Sequence, residues 1–136
     1  MYRVLVVDDM KSWIAVNSKL VNEFLGENVQ ITVASSALEA DSIVLESINK
    51  PFDLILTDLQ MESDFLPKHA GEWLVEKIKT YEQYKNVFII LISASSDIKD
   101  VAARNKIAYI SKAELIKFPE KLAYSLQEEN FIMAET

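Results

Sequence analysis

Four short apolar runs in this chain each lead straight into a polar residue capable of chemistry, and that coincidence restricts the fold more than anything else in the sequence. The runs are residues 2–7 (YRVLVV), 52–57 (FDLILT), 87–92 (VFIILI) and 107–110 (IAYI). At or just after their carboxyl ends stand Asp8-Asp9, Asp58, Ser93 and Lys112. Runs of this length, nearly continuous in Val, Ile and Leu, read as strands of a parallel sheet covered on both faces. The carboxyl ends of such strands share one rim, where open α/β folds place their ligand sites. Three carboxylates, a hydroxyl and an ammonium group would converge there, which is the donor set of a metal and phosphoryl site.

Helix-length amphipathic segments lie between the runs, as βα repetition requires. Residues 11–25 carry Trp13, Val16, Leu20 and Phe24 at helical spacing, with Gly26 as the stop. Residues 30–34 read as a second strand and 36–49 as a helix closed by Lys50-Pro51. A helix is expected over 71–84 from Trp73, Leu74, Ile78 and Tyr81, a short one over 97–105, and a last one from Pro119 to Glu129. The 136 residues suit a single domain spanning 1–136, since domains cluster near roughly 100–150 residues.

A formal net charge of −7 repels the polyanions that a nonspecific nucleic-acid or anionic-membrane binder must approach. It suits a divalent cation. The absence of Cys excludes disulfides and thiolate metal sites and agrees with a cytoplasmic protein, and no apolar segment is long enough to suggest a signal peptide or membrane span.

The motifs together resemble the receiver domain of two-component response regulators over essentially the whole chain. The residues that carry the likeness are Asp8-Asp9 in VLVVDDM, Asp58 in DLILTDLQM, Ser93-Ala94 in IILISAS, and Tyr109 with Lys112 in AYISK. The resemblance implies a flavodoxin-like, doubly wound α/β fold with a five-stranded parallel sheet in the order 2-1-3-4-5. It implies Asp58 as phosphoacceptor, Lys112 and Ser93 as groups that touch the phosphoryl oxygens, and Ser93 with Tyr109 as a coupled switch. It also implies a Mg²⁺ ion held by Asp8, Asp9, Asp58 and the backbone carbonyl of Gln60. The phosphodonor would be a histidine kinase or histidine phosphotransfer protein, and the readout a downstream protein effector, with no nucleic acid bound directly and no membrane. Such a domain is a phosphoacceptor with self-catalysed transfer and hydrolysis rather than an enzyme acting on a separate substrate.

The residue types support this chemistry independently. A carboxylate nucleophile and a phosphoryl group are both anions, so a hard cation with oxygen ligands has to lie between them. A lysine supplies compact positive charge to the phosphoryl oxygens. Taken singly, the same residues fit plainer roles: Asp8-Asp9 a loop and helix N-cap, Asp58 a turn cap, Lys112 a solvated side chain, Tyr109 edge-strand packing. Trp13 and Trp73 read as packing residues and His69 as solvated. Ile14 and Val21 fit either an exposed docking contact on the first helix or the flanks of a wide buried face.

Four features depart from the receiver pattern. Ala113 stands where a Pro usually follows the active-site Lys; the 58-to-71 connection is longer than usual and adds Glu62 and Asp64; the 93-to-112 interval is short; and Lys106-Ile107 replaces a small residue before the last strand. The Lys112-Ala113 peptide is therefore expected trans, and Tyr109 mobile or outward in the unphosphorylated state. Other readings remain: the N-terminal receiver of a multidomain transcription regulator, a degenerate receiver that only binds proteins, a haloacid-dehalogenase-type phosphohydrolase, or a flavodoxin-like cofactor binder. Gln60 occupies the place of the second Asp that the phosphohydrolase needs, and Asp8-Asp9 would repel the phosphate of the cofactor binder.

Overall fold

The computed structural model describes residues 1–61 and 69–132. Within them β1 (Tyr2–Val7), β2 (Val29–Ala34), β3 (Leu54–Thr57), β4 (Phe88–Ser93) and β5 (Ala108–Ser111) form one parallel sheet in the order β2-β1-β3-β4-β5. The helices are α1 (Lys11–Leu25), α2 (Ala37–Glu46), α3 (Ala70–Lys79), α4 (Ile98–Asn105), α5 (Lys112–Lys117) and α6 (Glu120–Glu128). This is the expected α/β fold and strand order. Glu62 and Asp64 lie outside the described residues.

Strand side chains alternate between faces, so the central strands feed two cores at once. Leu5, Val7, Ile55 and Leu91 point to the face covered by α2, α3 and α4, where Ala40, Val44, Leu74, Ile78 and Val101 meet them. Val4, Val6, Leu56 and Ile92 point to the opposite face, against Leu20 of α1, Leu115 of α5 and Leu122 and Leu126 of α6. Each such Leu, Ile or Val contributes about 1.5–3 kcal/mol when fully buried. That double burial is why β1 and β3 read as unbroken apolar runs. Among the described residues no helix is long and apolar enough to cross a membrane.

Several local boundaries differ from the sequence expectation. In α1 the buried stripe runs through Asn17, Leu20, Val21 and Leu25, while Val16 is exposed. Val21 is thus core and Ile14 half-buried, which decides for the wide buried face. Helix α2 stops at Glu46 rather than Asn49, with Ser47 in the cap. Helix α3 stops at Lys79, and residues Glu82–Tyr84 form a 3-10 turn instead of continuing it. The break lets Tyr84 turn into the core, where its hydroxyl donates to the Val44 carbonyl at 3.3 Å. Helix α5 was not expected, although Ser111-x-x-Glu114 is an N-terminal capping signature; the Ser111 hydroxyl accepts from the Glu114 N–H at 3.1 Å.

At the end of α4, Lys106 takes a left-handed conformation, φ 57° and ψ 48°. Its N–H bonds the Ala103 carbonyl and that of Ile107 bonds Ala102, a Schellman closure that normally selects Gly. The position where the receiver pattern places a small residue therefore keeps the small-residue backbone with a lysine in it. Lys106→Gly is expected to stabilise the domain by about 0.5–1 kcal/mol, since a non-glycine residue bears the left-handed strain. A urea titration showing a lower midpoint would contradict this.

Glu72 anchors α4 to α3. Its buried carboxylate takes a forked pair of bonds from Arg104, Nε at 2.7 Å and Nη2 at 2.9 Å, and a third from Asn105 Nδ2 at 2.8 Å. Two bonds from a guanidinium and one from a neutral amide offset the desolvation of the buried carboxylate, where an unpaired one would bear it in full.

Candidate phosphoacceptor site

Register brings the rim residues together. Val7 pairs with Thr57, and Thr57 with Leu91, so the next residues out, Asp8 and Asp58, lie side by side while Ser93 ends the neighbouring strand. The Asp58 N–H extends the ladder to the Val7 carbonyl at 3.0 Å. Beyond that point the backbone turns and the carboxylates lean over the rim. Oxygen atoms from Asp8, Asp9 and Asp58 all lie within 4.8 Å of one another.

Asp8 is fully buried, and Asp58 is 6 % exposed. Asp8 Oδ1 accepts from the Met10 N–H at 2.9 Å. Helix α1 takes Met10, not either aspartate, as its N-cap residue. Asp58 Oδ1 accepts from the Leu59 N–H at 2.7 Å and, longer, from the Gln60 N–H at 3.4 Å. Gln60 thus sits beside the acceptor carboxylate.

Lys112, first residue of α5, reaches back from the sheet edge and is 6 % exposed. Its Nζ donates to Asp58 Oδ2 at 3.0 Å and lies 2.9 Å from Asp8 Oδ2, an ion pair outside hydrogen-bonding geometry. Burial works to lower the lysine pKa, but the close contacts with the Asp8 and Asp58 carboxylates and their charges outweigh it and hold the ammonium above its ordinary range. Burial pushes the Asp8 carboxyl up, and the Met10 N–H and Lys112 do not fully offset it while Asp58 adds to the rise. The Lys112-Ala113 peptide is trans, as expected without the proline.

Ser93 is buried at the end of β4, its hydroxyl accepting from the Ser95 N–H at 3.2 Å. Tyr109 on β5 is 41 % exposed, the outward placement expected of it. His69 is not simply solvated: its Nε2 lies 3.1 Å from Asp97 Oδ2, joining the start of α3 to the loop after β4. Sequence reading also missed two supports of the site. The Trp13 ring faces the Lys112 ammonium, 4.9 Å from Nζ to the ring centroid. Gly71 brings the start of α3 onto the Asp58 backbone, its N–H bonding the Leu59 carbonyl at 2.9 Å; its being one of only two glycines in the chain was the available signal.

No protein-family model matches the chain, and no curated sequence does. Solved structures do. The phosphorylated cyanobacterial phytochrome response regulator RcpA superposes with a TM-score of 0.76 at 18% identity, over 98% of this chain and 96% of that one. The chain has the receiver fold. The chemotaxis response regulator CheY4 of Vibrio cholerae matches at 24% identity and TM-score 0.69 over 95% of this chain and 98% of its own. The Mn²⁺-bound form of response regulator Rcp1 matches at 19% and 0.69, covering 99% and 98%. This receiver fold carries its acidic cluster at the carboxyl rim of β1 and β3, a plausible phosphoacceptor site.

The fully buried Asp8 carboxyl fits a hard cation, being one of three carboxylates whose oxygens cluster beside the Lys112 ammonium. Because its folded pKa is raised, the ionised form costs stability: the cost is absent at low pH, grows as pH rises through 3.8, and is complete above the folded value. Asp8→Asn is accordingly expected to raise the melting temperature of the metal-free protein at neutral pH and to at least halve the rise that Mg²⁺ produces. An unchanged Mg²⁺ response would make Asp8 purely structural.

Proposed function

We propose that the chain is a two-component receiver that accepts one phosphoryl group on Asp58 with Mg²⁺ bound, from a histidine kinase or histidine phosphotransfer protein in the cytoplasm. The observation that supports this most is the clustering of Asp58 with Asp8 and Asp9 around a buried, charged lysine that bridges Asp8 and Asp58. Asp8, Asp9, Asp58 and the Gln60 carbonyl would hold the ion. Bound there, it supplies the positive charge that lets a phosphoryl group approach carboxylates.

The chain's own groups do the rest. An Asp58 carboxylate oxygen forms the new P–O bond as the donor's P–N bond breaks, the electron pair leaving on the donor imidazole, which a proton then neutralises. Lys112, already beside that carboxylate, binds a phosphoryl oxygen as charge develops there. Ser93, one strand away, donates to another. Ser93 and Tyr109 form the switch: as the hydroxyl turns to the phosphoryl group, the exposed ring can move inward and change the surface around β5. That surface is read by a protein effector, in keeping with a net charge of −7 and no nucleic-acid motif. The degenerate-receiver reading is disfavoured by the complete set of acids, hydroxyl and lysine.

Incubation with acetyl phosphate and Mg²⁺ is expected to add one phosphoryl group, read by intact-mass spectrometry, and Asp58→Asn to abolish it. An undiminished gain in that variant would overturn the assignment.

A further inference from the structure

We infer that Trp13 is the positioning residue for Lys112: its ring face is a seat that holds the ammonium over the phosphoacceptor without depending on the carboxylates. The inference rests on the receiver reading and deepens it. Lys112 starts α5, where the positive end of a helix does nothing to hold a cation. Its side chain is almost wholly withdrawn from water, so its direction is decided by what it touches, which is Asp8 Oδ2, Asp58 Oδ2 and the face of Trp13. The first two are the very carboxylates that a divalent ion and a phosphoryl group would engage. Once they are engaged, the charge that drew the ammonium in is partly neutralised, and a neighbouring cation repels it.

The indole face is a different kind of partner. Its attraction for a desolvated ammonium comes from the ring quadrupole and survives when the acids are occupied. Trp13 is well placed to keep it. It lies in the first turn of α1, its N–H bonded to the Met10 carbonyl at 3.0 Å, and it packs half-buried against the core cluster that also holds Leu115 of α5. The ring therefore bridges the helix after β1 to the helix after β5, across the carboxyl rim of the sheet. With Ala113 in the loop in place of a proline, this contact gives the lysine an orientation that the backbone alone need not supply.

The test compares Trp13→Phe, which keeps an aromatic face, with Trp13→Leu, which keeps apolar bulk only. Initial rates of phosphorylation by acetyl phosphate at saturating Mg²⁺ are expected to stay within about threefold of wild type for Phe and to fall about tenfold or more for Leu, a tenfold rate corresponding to 1.4 kcal/mol. The Mg²⁺-induced thermal shift should be the same in all three. Equal losses in Phe and Leu, or a wild-type rate in Leu, would overturn the inference. Should Trp13→Leu fail to fold, emission from Trp13 in a Trp73→Phe background decides. Lys112→Met should change that emission, and the change should persist with Mg²⁺ and beryllofluoride bound; its loss on adding them overturns the seat. If wild type takes up no phosphoryl group at all, the receiver reading fails, and the emission comparison still judges the ring–ammonium contact separately.

Discussion

Gly71→Ala is expected to destabilise the domain by about 3 kcal/mol or more, beyond the usual range for overpacking because the obstacle is backbone. A Cβ at Gly71 would lie 2.1 Å from the Asp58 carbonyl oxygen and 2.7 Å from the Leu59 Cα. Neither atom belongs to a side chain that can rotate away. The Asp58 carbonyl is moreover bonded by the Thr57 hydroxyl at 3.0 Å, and the residue is tied to β1 through its own N–H. Relief must come from lifting α3 off the sheet, which opens the core around Leu74, or from pushing Asp58 out of the acidic cluster. Either way chemistry is lost along with stability. The checks are a chemical denaturation curve and acetyl phosphate labelling of whatever remains folded; a stability within 1 kcal/mol of wild type would show that α3 does not sit as close as described.

Lys112→Met is expected to lower the stability of the metal-free protein at neutral pH by about 3–5 kcal/mol, the cost of breaking a buried ion pair from one side. Two buried carboxylates, Asp8 and Asp58, would lose their shared cation. Three signatures follow from that cause. The deficit should shrink as pH falls and the acids protonate. In wild type the lysine's contribution is fully present below its unfolded pKa of 10.5 and is lost only as pH rises through the higher folded value, so it is complete at neutrality. Mg²⁺ should restore most of the loss and give a larger thermal shift than in wild type, since it replaces the missing charge. Thermal melts with and without Mg²⁺ at acidic, neutral and strongly alkaline pH test all three; an equal Mg²⁺ shift in both proteins would separate Lys112 from the acidic cluster.

The strands and the cluster at their rim were legible in the sequence because one physical fact produces both signals. A strand covered on two faces must be apolar along its whole length, so the first polar residue after it marks the rim, and in a parallel sheet the rims coincide. Asp8-Asp9 and Asp58 follow their strands directly, Ser93 ends β4, and Lys112 comes just after Ser111 at the end of β5. The helix ends were less legible. Nothing in the periodicity of Trp73, Leu74, Ile78 and Tyr81 announces that the chain leaves the helix at Lys79, since the reason is the room for Tyr84 beside Val44 and Phe52, 32 to 40 residues away in sequence. Helix α5 could have been read from Ser111 and Glu114, whose local hydrogen bond needs no tertiary partner.

By itself, then, the order of apolar runs and polar ends pointed to the parallel α/β architecture and to which side chains share its rim, because strand formation and the alternation of side chains along a strand follow from local residue type. Only the tertiary structure decided what supports that rim. The ring of Trp13 meets Lys112 across 99 residues of sequence and the Gly71 gap meets the Asp58 carbonyl over 13. The burial of Val21 and exposure of Val16 were likewise decided by the angle at which α1 lies on the sheet. Contacts between helices on different crossovers depend on packing distance and rotation, quantities that composition and spacing along one segment do not contain.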